Sequence, residues 1–196
     1  MSSPLVRLKG FGVAFGDRIV LADVTFDVPK HGLITLVGPA GAGKSTLLRT
    51  LAGLNDAHPS LSTWGEVTFH GWPLMNARQS RPGDPRRGVG MVLQHARFYT
   101  ATVRENLVSA LPNRALLDHA AQTIRARELL EQMGLREIVA YLDEDVCNLS
   151  TQLQRRLAIV RALVGEPDVL LVDEPTAGLD EDEAIDVLAL LRRKAQ

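Results

Sequence analysis

The chain has 196 residues, is 45% hydrophobic and carries a formal net charge of −1, enough apolar material for one substantial core with at most a subdomain beside it. That balance offers no basic footprint for nucleic acid, and no run of some eighteen apolar residues is present to span a bilayer. Met1 to Arg7 lacks the charged start and apolar stretch of a secretory signal and Cys147 is solitary, so the expected compartment is the cytosol, with no internal disulfide.

Val6 to Pro29 reads as alternating strands, clearest at Val24-Thr25-Phe26-Asp27-Val28,. Leu33-Ile34-Thr35-Leu36-Val37 is apolar and β-prone and predicts a strand feeding the loop after it,. That loop, Gly38-Pro39-Ala40-Gly41-Ala42-Gly43-Lys44-Ser45, is a complete G-x-x-x-x-G-K-[ST] phosphate-binding pattern,. Thr46 to Ala52 continues as a helix closed by Gly53, which supplies the strand, loop and helix order the mechanism needs,. Side chains at Gly38, Gly41 or Gly43 are expected to obstruct the loop or forbid its backbone angles, because backbone N–H groups must approach phosphate oxygens closely. Lys44 is expected to reach the β- and γ-phosphates and the Ser45 hydroxyl to supply one oxygen to Mg²⁺.

Farther along, Gly65 to Gly71 predicts another strand, and with the N-terminal strands a small antiparallel sheet beside the nucleotide core,. Arg78 to Gly88, rich in Arg, Pro and Gly, reads as an exposed loop whose basic cluster is either solvated or set against lipid head groups,. Ala115 to Met133 predicts a helix closed by Gly134, with a second helical stretch before Leu149,. Val169-Leu170-Leu171-Val172 is long enough for a strand buried on both faces and ends in Asp173-Glu174,. In a nucleotide hydrolase Asp173 holds the Mg²⁺ shell and Glu174 orients the attacking water; the plainer alternative is an Asp capping the next turn. Glu183 to Lys194 reads as the last helix,.

In this order the segments resemble the nucleotide-binding subunit of ATP-binding cassette (ABC) transporters, nearly end to end. The resemblance implies an α/β P-loop NTPase fold: a three-layer core, a small antiparallel β subdomain and a helical subdomain. Residues 1–95 and 159–196 would form the core with its β subdomain, and residues 96–158 the helical subdomain and signature region, the former from about Ala96 to Asn148. Phe15 sits where the family stacks an aromatic on adenine, although core packing is its simpler role. Met91-Val92-Leu93-Gln94 looks like the strand ending in the Gln that touches Mg²⁺ and water; a loop-amide cap is the alternative. Thr102 to Leu107 resembles the opening of the helical subdomain. Ala177-Gly178-Leu179-Asp180 looks like the loop contacting an opposing subunit, with an acidic helix start as the alternative for Asp180. The stretch Asn55 to Val67 resembles the longer linker of phosphate-import cassettes and assigns no substrate.

Two departures stand against the pattern. The family's LSGGQ signature is matched by Leu149-Ser150-Thr151-Gln152-Leu153, followed without a gap by a helix ending Arg161-Ala162-Leu163. Ser150 keeps the first contact to the γ-phosphate of an ATP held by another subunit, while Thr151 and Gln152 add side chains where close backbone approach is wanted. The later strand and its Thr-His pair find no counterpart before Gln196, which leaves a fragment and a C-terminally shortened cassette as open readings. The resemblance implies ATP and Mg²⁺ as cofactors, bound through residues 38–46, with Lys44, Gln94 and Glu174 in catalysis and Ser45, Gln94 and Asp173 at the metal. Its implied partners are transmembrane permease subunits and a second cassette, in a homodimer or heterodimer, with the chain peripheral on the inner face of the cell membrane. A nucleotide-binding regulatory half-site with little or no hydrolysis is the alternative. The long-insert and tandem soluble ATPases of DNA repair and translation do not fit this chain.

Overall fold

The computed structural model describes residues 3–74, 88–94, 98, 102–111 and 114–195. They divide into two compact units, residues 1–91 with 192–196 and residues 92–191.

The first unit is built on β1 (Val6–Phe15), which begins with Val6 and Leu8 buried and Arg7 and Lys9 exposed, the period-2 pattern of a half-buried strand. A tight turn with Gly16 at φ 57° sets Phe15 opposite Arg18 and starts β2 (Arg18–Val28). On the other edge β1 pairs with β3 (Leu61–Phe69), which pairs in turn with β4 (Trp72–Pro73), so the sheet order is β2-β1-β3-β4 and every pairing is antiparallel. This is the expected small sheet, with the strand predicted at Gly65 starting four residues earlier, at Leu61. The β1–β3 register slips between Lys9 and Gly12. Glycine is required there: a Cβ on Gly65, whose φ is 79°, would lie 2.2 Å from the Gly10 carbonyl oxygen, closer than any real contact. Leu8, Phe11, Val13, Val67 and Phe69 are buried.

Helix α1 (Lys44–Leu51) buries Leu47, Thr50 and Leu51. It closes as anticipated, with Gly53 at φ 76° and the bonds Gly53 N–H to Thr50 O (3.0 Å) and Leu54 N–H to Arg49 O (2.8 Å), a Schellman motif. The run Leu33–Val37 departs from expectation. It lies outside every strand ladder of the described residues, and Leu33 and Val37 are 54% and 90% exposed. β propensity supplies an extended segment, but a strand exists only where a neighbour takes its N–H and C=O groups.

The second unit has one apolar core, to which helices of 3.6-residue period contribute,. Helix α2 (Val103–Val108) starts in a reciprocal capping box between Thr102 and Glu105,. Helix α3 (His119–Gln132) is capped by the Asp118 carboxylate and buries Ala126, Leu129 and Leu130; it begins four residues later than predicted because that cap, not the apolar period, sets its start. Gly134, at φ 72°, ends it with a second Schellman pair, Leu135 N–H donating to Leu130 O at 2.8 Å. The second helical stretch before Leu149 is two short 3₁₀ segments, Arg136–Tyr141 and Val146–Asn148, where Asp145 bonds the Cys147 N–H and interrupts any longer helix,. Helix α4 (Thr151–Leu163) buries Leu157, Ala158, Ile159 and Val160, and α5 (Glu181–Lys194) buries Val187, Leu190 and Leu191.

Strand β5 (Val89–Val92) ends two residues before Gln94. Beside its last residue runs β6 (Val169–Val172), the Asp173 N–H donating to the Val92 carbonyl at 2.9 Å. β6 is half-buried along its length, not covered on both faces as its composition suggested. The loop expected at Arg78–Gly88 lies outside the described residues except for Gly88, as does Ala96.

Candidate functional site

The phosphate loop belongs to the first unit. Gly41 and Gly43 have φ of 78° and 87°, the left-handed region that a Cβ disfavours. At Gly43 a Cβ would also come within 2.7 Å of Leu21 Cδ2 and 3.2 Å of the Val20 carbonyl, so β2 packs directly under the loop. At Gly41 it would meet nothing within 4 Å, and that side of the loop is open to a phosphate. Gly38 corrects the expectation: its φ is not positive and its Cβ would make only an ordinary 3.7 Å contact with Ala42. Neither its backbone angle nor its packing requires glycine.

Lys44 opens α1 and folds its ammonium back over the loop, where Nζ donates to the Gly38 and Pro39 carbonyls, each at 2.8 Å. The charge is thereby held at the helix N-terminus, the end favourable to anions. Phe15 ends β1 half-buried, its ring meeting His58 edge-on at 4.9 Å. His58 was not anticipated: it lies in a polar linker with nothing in its sequence neighbourhood to mark it.

Asp173, Glu174, Gln94 and Ser150 belong to the second unit, with Asp180. The Asp173 side chain is buried at the end of β6, 3% exposed, and Glu174 follows it exposed. Glu174 has φ 47°, uncommon for any residue with a Cβ and more so immediately before a proline, Pro175. The Gln94 amide donates to Glu174 Oε2 at 2.6 Å, so two candidates eighty positions apart meet.

A residue the sequence did not single out organises this corner. Arg155, in the second turn of α4, is 6% exposed and donates through Nη1 to the Gln94 carbonyl and through Nη2 to the Ala177 carbonyl at 3.1 Å, with the Glu174 carbonyl at 3.5 Å from Nη1. Burial holds the pKa of its guanidinium below the usual arginine value, an effect the Glu174 carboxylate offsets only in part. The signal was present in retrospect: an arginine preceding the apolar run Leu157–Val160 needs acceptors if it is buried.

Ser150 and Asp180 cap helices. Ser150 Oγ accepts the Leu153 N–H at 3.3 Å. Asp180 Oδ1 accepts the Glu183 N–H at 2.9 Å while its own N–H donates to Glu183 Oε2 at 3.2 Å, the acidic helix start that was the plainer alternative. The Cys147 thiol is pushed up in pKa by its bond to Asp145, which disfavours the reactive thiolate.

No cluster of three or more His, Cys, Asp or Glu suited to a metal occurs among the described residues. Mg²⁺ is ordinarily held by one or two carboxylates together with substrate phosphates. The hydroxyl of Ser45, the amide oxygen of Gln94 and the carboxylate of Asp173 are hard oxygen donors of the right kind.

The profile of the ABC transporter family matches residues 21–177. The phosphate import ATP-binding protein PstB 1 of Streptococcus pyogenes is 30% identical over 201 residues, covering 99% of this chain and 78% of that protein. Among solved structures, cbiO1 of Clostridium perfringens, part of the cbiONQ transporter complex, aligns with TM-score 0.77 and 25% identity over 99% of this chain and 74% of its own. A bacterial Atm1-family ABC exporter with ATP bound gives TM-score 0.77 and 26% identity over 100% of this chain and 33% of the exporter. With a phosphate loop, a strand-end acid pair and an antiparallel β subdomain in place, the chain belongs to the ABC transporter family as an ATP-binding subunit, an ABC ATPase.

Proposed function

We propose that the chain hydrolyses Mg-ATP to drive solute import through permease subunits at the inner face of the cell membrane. The import direction is supported by the S. pyogenes relatives, whose names assign them to phosphate import; the substrate itself is chosen by other chains. Lys44 neutralises the β- and γ-phosphates, residues 38–46 cradle them, and Phe15 carries the adenine. Ser45, Asp173 and Gln94 would hold Mg²⁺, which would supply neutralisation of phosphate charge. Glu174 orients the attacking water and takes its proton. The bond from Gln94 to the Glu174 carboxylate carries this reading, because it aims the only exposed acid of the strand-end pair. Ser150 and Asp180 face an opposing cassette, the same chain or a partner. Functionally we divide the chain into residues 1–95 with 159–196 and residues 96–158.

Thr151 and Gln152, in the first turn of α4, favour a second feature: a weak contact to the ATP of the opposing subunit and slow turnover, which in the limit makes the chain a regulatory half-site. Thr151→Gly with Gln152→Gly is expected to raise phosphate release severalfold. An unchanged rate removes the weak-signature reading.

A further inference from the structure

We propose that Arg155 is a positioning residue for hydrolysis: its buried guanidinium bridges the Gln94 carbonyl and the turn Glu174–Ala177, and so sets the direction of the Glu174 carboxylate. The inference rests on the reading that Glu174 orients the attacking water.

Four observations converge. Arg155 is nearly inaccessible, and its fork spans the carbonyls of Gln94 and Ala177, acceptors taken by two different Nη atoms of a rigid planar guanidinium, a geometry the single Nζ of a lysine does not reproduce. The turn it braces contains Glu174 at φ 47° and is closed by Ala177 N–H donating to Glu174 O at 3.2 Å. A backbone conformation of this kind persists only where its surroundings hold it. The Gln94 side chain bonds Glu174 Oε2 while its backbone carbonyl bonds Arg155, so one guanidinium sits behind both members of that pair. Finally, Arg155 lies on α4, the helix capped by Ser150, which joins the signature and the hydrolytic turn through a single rigid element.

Removing the fork leaves the carbonyls short of donors and lets Glu174 relax toward an ordinary backbone angle. A displacement of about 1 Å at a reacting group is enough to cost roughly 10²-fold in rate, whereas phosphate-loop residues that bind ATP are untouched. Arg155 contacts neither substrate nor metal in this account and acts only through Glu174 and Gln94.

The test is steady-state Mg-ATP turnover by the purified chain in four forms: wild type, Arg155→Met, Arg155→Lys and Glu174→Gln, each with a thermal melt. Arg155→Met keeps length and burial without the donors. The expected result is kcat lowered roughly tenfold to a hundredfold in both Arg155 variants, with KM for ATP within about twofold. Lysine restores the charge but not the fork, so it should not rescue. If Arg155→Met does not fold, Arg155→Lys, which retains the charge without the planar fork, decides alone. Unchanged kcat, or kcat and KM moving together with a broadened melt, overturns the inference and leaves Arg155 a stability residue. Turnover that survives Glu174→Gln, or is absent from the wild type, overturns the underlying reading as well; turnover lost in Glu174→Gln alone defeats only the role of Arg155.

Discussion

Three glycines of the phosphate loop separate what the fold demands from what the nucleotide demands. Alanine at Gly43 adds a left-handed non-glycine residue at φ 87°, costing about 1–2 kcal/mol. It also drives a methyl to 2.7 Å from Leu21 Cδ2 and 3.2 Å from the Val20 carbonyl, worth about 1 kcal/mol more in local displacement. The sum, about 2–3 kcal/mol, corresponds to a melting point lower by about 4–12 °C for a chain of this size. Gly41→Ala bears only the backbone part, about 1–2 kcal/mol, since nothing lies within 4 Å of its Cβ. Gly38→Ala has neither a positive φ nor a clash, and should stay within about 0.5 kcal/mol of wild type. Yet ATP affinity should not follow that order: Gly41→Ala, whose methyl enters the open side of the loop, should weaken ATP binding about tenfold or more. Urea denaturation without nucleotide, paired with ATP titration, reads both scales. Equal stability losses at the three positions, or an ATP affinity that tracks stability, would mean that fold and nucleotide make the same demand on these glycines.

Other expectations concern the frame around the site. Thr102→Ala removes one half of the box that starts α2 and should lower stability by about 1 kcal/mol, seen as a small drop in melting temperature; no change would mean the cap is redundant with the Thr102–Asp145 bridge. The Arg7 guanidinium hydrogen-bonds the Asp27 carboxyl at 2.9 Å and holds its pKa below the usual carboxylate range. Because the folded value is depressed, its contribution is present above the unfolded pKa of about 3.9 and fades as pH falls through the folded value. An NMR titration should show that low midpoint, and Arg7→Met should return it to the ordinary range.

The legible parts of the chain were those whose signal is local. Gly41 and Gly43 of the phosphate loop, the closing glycines Gly53 and Gly134, and the strands read over Val6 to Pro29 each state a backbone requirement in the residues that obey it, and the structure bears them out. The start of α3 was missed because Asp118 outranks apolar residues such as Leu116 and Leu117 as a boundary signal. The run Leu33–Val37 shows the limit of propensity: pairing is a property of neighbours, not of the segment. The site divides the same way. Lys44 and Asp173 can be read from their own motifs, but the meeting of Gln94 with Glu174 across eighty positions, and the arginine behind them, depend on tertiary placement that no spacing encodes.

The central claim is that the phosphate loop binds ATP and Glu174 turns it over. Equilibrium ATP binding and phosphate release, measured side by side on wild type, Lys44→Ala and Glu174→Gln, test it most directly. Lys44→Ala should lose both, while Glu174→Gln should keep wild-type affinity and lose release by about 10²-fold or more. Release that persists in Glu174→Gln, or ATP binding unaffected by Lys44→Ala, would contradict it.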